Sequence, residues 1–140
     1  MKLHQVVIVF PLGVLATSFF FDLAWLATHR GELEWAAFRM IAAGVIGGLF
    51  AAALGLRDWL AIPRATRAKR IGALHGATNV VVLLLFAGSW LLRRDEVVHP
   101  EPLALACSGA GVVLSMIAGW LGGELVDRYF TSRSETTTRT

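Results

Sequence analysis

Apolar and polar positions along this chain sort into four long apolar blocks separated by three short polar gaps. The blocks cover 6–27, 35–56, 71–92 and 102–121. Each is close to the 20 or so residues that a helix needs to cross a hydrocarbon core of about 30 Å. None alternates with a period of two, which argues against strands. The pattern predicts an all-α fold, an integral membrane four-helix bundle spanning residues 1–127. The polar stretch 128–140, ending "SRSETTTRT", predicts a disordered tail.

The gaps carry turn chemistry. Thr28, His29, Arg30 and Gly31 mark the first. The segment "RRDEVVHPE" marks the third, where Pro100 and Pro102 stop one helix and open the next. The middle gap, "RDWLAIPRATRAKR", is the longest, and Pro63 is placed to open the third helix with a basic, amphipathic lead-in. The first block is too long for the apolar core of a signal peptide, and Trp25 occupies the −3 position of the one plausible cleavage after Ala27. It reads as a retained span.

Composition supports the membrane reading. The chain is 56% hydrophobic and 16% charged, with a mean hydropathy of +0.62. A soluble domain carries about 25% charged residues. The net charge of +3 does not point to nucleic acid, because the basic residues lie in short gaps between apolar runs. Nine of them (Lys2, Arg57, Arg64, Arg67, Lys69, Arg70, Arg128, Arg133 and Arg139) fall on one side of a four-span arrangement. Four (Arg30, Arg39, Arg93 and Arg94) fall on the other. Positive residues favour the cytoplasm, so the expectation is a multi-pass protein of the inner membrane with both termini cytoplasmic. Trp35, Trp59 and Trp90 fall near span ends, as an interfacial belt requires.

Small residues predict how the spans meet. Gly44, Gly48 and Ala52 form one stripe, Gly47, Ala51 and Gly55 an adjacent one, and Gly111, Ser115, Gly119 and Gly123 a third. Such stripes let helices approach closely in lipid. They serve either a compact bundle or contacts between copies in a homo-oligomer.

Candidate chemistry gathers on the side assigned to the cytoplasm. His4, Asp58, His75 and Glu124 come from four different spans at similar depth, and Asn79 follows His75 by one turn. Polar groups at such depth face a bundle interior or water. This cluster is compatible with simple helix capping, with haem b held by His75 and His4, or with a transition metal held by His4, Asp58, His75 and Glu124. It is also compatible with an ion or proton path using Glu124 and Asp22. Asp22 lies inside the first span and Arg39 at matched depth in the second, which predicts an intramembrane ion pair. His29 and His99 read as solvated loop residues. Cys107 is the only cysteine, which excludes an internal disulfide, and it reads as a small packing residue. No nucleophile–base motif, phosphate-binding loop or metalloprotease helix is present, so no catalytic residues are assigned.

The segments "LHQVVIVFPLGVL", "FFFDL", "AAGVIGGLFAAALGLRDWL", "ALHGATNV" and "WLGGELVDRYF" together resemble an uncharacterised family of predicted bacterial four-helix membrane proteins, domain of unknown function 2231. The family this chain resembles includes chains that look fused to Rieske-type domains. The resemblance implies that His4, Asp22, Asp58, His75, Asn79 and Glu124 are the family's polar positions. Its first block usually reads His-Pro-x-x-x-His-Phe-Pro; here Gln5 and Val9 replace the proline and the second histidine. The function expected is an accessory or structural subunit of the membrane, with membrane electron transfer and small-ion transport as alternatives. A redox or other membrane-complex partner accompanies those readings.

Overall fold

The computed structural model describes residues 2–126, with side-chain surroundings for 6–124. His4 and the tail 128–140 therefore fall outside what is described of side chains or of structure. Four helices follow one another: α1 (Lys2–Thr28), α2 (Gly31–Leu60), α3 (Arg67–Arg93) and α4 (Pro102–Val126). Each helix is longer than its apolar block.

The middle connection differs from expectation. Pro63 does not open α3. It sits in a turn, and Thr66 caps the helix by accepting a hydrogen bond from the Lys69 amide at 3.1 Å. Thr66 also donates to the Pro63 carbonyl at 2.9 Å. A reciprocal clasp closes the connection. Trp59 Nε1 donates to the Lys69 carbonyl at 3.0 Å, and Lys69 Nζ returns a bond to the Trp59 carbonyl at 2.7 Å. The same ammonium lies 3.8 Å from the Trp59 ring centre, a cation–π contact.

Each helix buries one narrow face. On α1 that face is Pro11, Leu15, Ser18, Asp22 and Trp25. On α2 it is Glu34, Ala37, Ile41, Gly44, Gly48 and Ala51. On α3 it includes Val82, Phe86, Ser89 and Arg93. Spacings of three and four keep these residues on one side of a 3.6-residue helix. The helices run antiparallel to their neighbours in sequence. Packing is most extensive within the pairs α1–α2 and α3–α4; the pairs join mainly through α2 against α3. Leu15, Ile41, Val82 and Phe86 form the central core.

The outer surface is the reverse of a soluble protein's. Phe20, Phe50, Leu84 and Trp120 are 66–69% exposed, one on each helix, and many further large apolar side chains accompany them. A water-facing surface rarely carries so much contiguous apolar area. All four helices are long and apolar enough to cross a membrane. The lipid bilayer is the solvent this surface fits.

Two of the small-residue stripes behave differently. Gly44 receives Leu15 from α1, and Gly48 receives Leu83 from α3. A Cβ on Gly111 would stand 2.7 Å from the Phe86 ring. Gly119 and Gly123 have nothing within contact distance and instead border a cavity. Gly44 and Gly48 of α2 and Gly111 of α4 are thus contact positions inside the bundle, whereas Gly119 and Gly123 are not.

Candidate functional site

Polar side chains collect at both ends of the bundle, and one face of α3 reaches both. His75, Asn79, Val82, Phe86, Ser89 and Arg93 follow one another at spacings of three and four. His75 and Arg93 are eighteen positions, about five turns and 27 Å, apart along the same line.

At the Arg93 end the guanidinium is fully buried and meets three other helices. Its Nη1 donates to Asp22 Oδ1 at 2.9 Å and its Nη2 to Asp22 Oδ2 at 3.2 Å, a bidentate pair with α1. Nη1 also donates to Glu34 Oε2 on α2 at 3.0 Å. Nη2 donates to Ser89 Oγ at 2.9 Å and to Ser108 Oγ on α4 at 3.3 Å. Ser89 Oγ donates a hydrogen bond to the Ala104 carbonyl at 2.7 Å and lies 2.7 Å from Ser108 Oγ. Asp22, Glu34, Ser89 and Ser108 are all fully buried. Breaking such a pair by removing one partner costs about 3–5 kcal/mol, because the other is left buried and uncompensated.

This corrects the expected Asp22–Arg39 pair. Asp22 spends both oxygens on Arg93. Arg39 is exposed and lies 5.9 Å from the Trp35 ring centre. The physical reason is helix phase. The buried face of α2 runs from Gly48 through Gly44, Ile41 and Ala37 to Glu34, and Arg39 stands roughly 200° away from Ile41. That phase was available in the sequence, since the Gly44–Gly48 stripe points directly to Glu34. Glu34 and Arg93 were missed because both sit where an apolar block meets a gap.

The His75 end is arranged differently. His75 Nδ1 lies 2.8 Å from the Ala118 carbonyl, so it carries the ring proton and donates across to α4. Asn79 Nδ2 donates to the His75 carbonyl at 2.8 Å and stands 3.2 Å from His75 Nε2. Gly122 makes room for the imidazole, since a Cβ there would stand 3.0 Å from the ring. His75 and Asn79, together with Asp58 and Trp59 of α2, border a partly open cavity of about 740 Å³. Its remaining walls are almost entirely apolar, with Leu83 and Phe86 towards the bundle centre.

The expected cytoplasmic-side cluster is therefore assembled in part. His75 and Asn79 are bonded to each other, and Asp58 borders the same cavity. Glu124 lies 3.7 Å from Arg67 at the start of α3. Among the described residues no three His, Cys, Asp or Glu side chains gather as metal ligands, so Asp58, His75 and Glu124 do not form a donor group by themselves; His4, the fourth member of the expected set, lies outside the described side chains. Both nitrogens of His75 already face protein partners, which opposes its use as a haem ligand alongside His4. Asp22 and Glu124 stand at opposite ends of the bundle. Ser108, which meets the Arg93 cluster, is about 24 Å along α4 from Glu124, so the two acids do not share one site.

Fold and surface define a four-helix protein of the membrane. The chain belongs to the family described as predicted membrane protein (DUF2231), whose profile matches residues 1–134. No curated protein and no solved structure matches it.

Proposed function

We propose that this protein is a small inner-membrane accessory protein that holds a long-chain amphiphile in the cavity below His75 and Asn79. The observation that carries this is the cavity's composition: apolar walls on a scale suited to a lipid-sized molecule, with polar side chains only at one end. Both amide hydrogens of Asn79 are directed at His75, which leaves its carbonyl oxygen as the acceptor for a ligand hydroxyl. The Lys and Arg balance supports placing both termini and the α2–α3 connection on the cytoplasmic face.

The test uses the full chain in lipid nanodiscs with a long-chain primary alcohol bearing a fluorescent tail. Saturable binding is expected. Asn79→Leu should weaken it about tenfold, the loss of one hydrogen bond. Gly119→Leu, which grows into the cavity from open space, should abolish it. Equal, non-saturating uptake by all three proteins would refute the proposal.

A further inference from the structure

The charges at the Arg93 end do not balance. Two carboxyl groups, Asp22 and Glu34, face one guanidinium, and all three side chains are essentially without solvent contact. Ser108 is what α4 contributes to the guanidinium, and it is uncharged. With every group ionised the cluster would hold one excess negative charge in a low-dielectric bundle, an arrangement that burial strongly opposes.

The hydrogen bonds show where the compensating charge belongs. Asp22 gives both oxygens to the guanidinium in a forked pair, the geometry of an ionised carboxylate. Glu34 gives only Oε2, and its Oε1 is buried with no partner. A fully buried carboxylate oxygen without a donor is rare. Asp22 Oδ1 and Glu34 Oε2 also share the same Nη1, which brings the two acids into direct repulsion if both are charged.

We infer that the Asp22–Glu34–Arg93 cluster is a binding site for one unit positive charge, and that this charge is a proton carried on Glu34 Oε1. An alkali ion is the other source of that charge. It would need several oxygens, whereas three of the four carboxyl oxygens are already committed to Arg93. A proton needs one. The bound proton makes the cluster neutral and lets a single arginine hold the helices together within the membrane.

The experiment is infrared spectroscopy of the purified full chain at neutral pH, with exchange into heavy water. A carboxylic-acid carbonyl band that shifts on deuteration is expected. It should vanish in Glu34→Gln. It should also vanish in Asp22→Asn, where Glu34 becomes the only counter-ion of Arg93 and gives up its proton. A second readout is thermal stability against pH. A proton bound in the folded state and released on unfolding makes stability fall as pH rises. The wild type should therefore lose melting temperature as pH rises above the ordinary carboxyl range, relative to Glu34→Gln. If Glu34→Gln does not accumulate, the wild-type band and its deuterium shift decide alone. Absence of the band, with a melting temperature set by sodium rather than choline at constant ionic strength, would assign the charge to an alkali ion and overturn the proton. Absence of the band without any ion dependence would overturn the site.

Discussion

His75 and Arg93 stand on one face of α3, yet the two ends of that face are built on opposite plans. Around Arg93 all four helices converge, the guanidinium and the side chains that meet it are buried, and most of their polar atoms bond to one another. Around His75 the imidazole bonds to α4, but the space towards α1 and α2 opens into an apolar cavity. The difference lies in what each end can gain from polar groups. Inside a membrane an arginine is tolerated only with close partners, so one guanidinium drives four helices together. A neutral imidazole–amide pair makes no such demand. It needs only a carbonyl and a glycine beside it, and the surrounding helices are free to stay apart.

The comparison can be broken at its strong end first. Arg93→Met should destabilise the protein by about 3–5 kcal/mol, since it leaves a buried carboxylate without its counter-ion. Thermal or chemical unfolding in detergent would read this loss. A change below about 1 kcal/mol would mean the cluster does not hold the bundle. Glycines test the same contrast at intermediate size. Gly111→Val pushes a side chain into Phe86 and should cost about 1–3 kcal/mol. Gly119→Ala, bordering the cavity, should be neutral or stabilise by up to about 1 kcal/mol through helix propensity. Equal effects at the two positions would show that the cavity closes. A smaller loss than that of Arg93→Met belongs to His75→Ala, which removes the bond to the Ala118 carbonyl and the contact with Asn79 Nδ2 and should cost about 1–3 kcal/mol in the same unfolding assay. A loss as large as that of Arg93→Met would erase the distinction between the ends.

Much of the fold was legible beforehand. The length of the apolar blocks dictated four helices, and the short gaps dictated antiparallel neighbours. His75 and Asn79 were legible as a pair because four residues make one turn. Asp22 was legible as a buried acid, but its partner was not. Three arginines, Arg39, Arg93 and Arg94, lay near its depth. Choosing among them required knowing which way α2 and α3 are rotated. Arg94, one residue beyond Arg93, is 59% exposed in its side chain and pairs with Asp95 at 3.7 Å. A step of about 100° around the helix separates a residue that ties four helices together from one at the surface. Glu34 had a visible signal in the phase of the α2 glycines, whereas Ser89 and Ser108 had none, since serine is common in membrane helices for many reasons.

The sequence by itself determined the solvent and the number of spans, because hydropathy over about 20 residues is a property of composition and length alone. It also determined which residues could share a face, because helix geometry is local. The tertiary structure decided which faces turn inward together, which acid meets which base, and where the bundle closes or parts. Those outcomes depend on side chains from separate helices meeting within about 3 Å, and no local rule carries distances across the bundle.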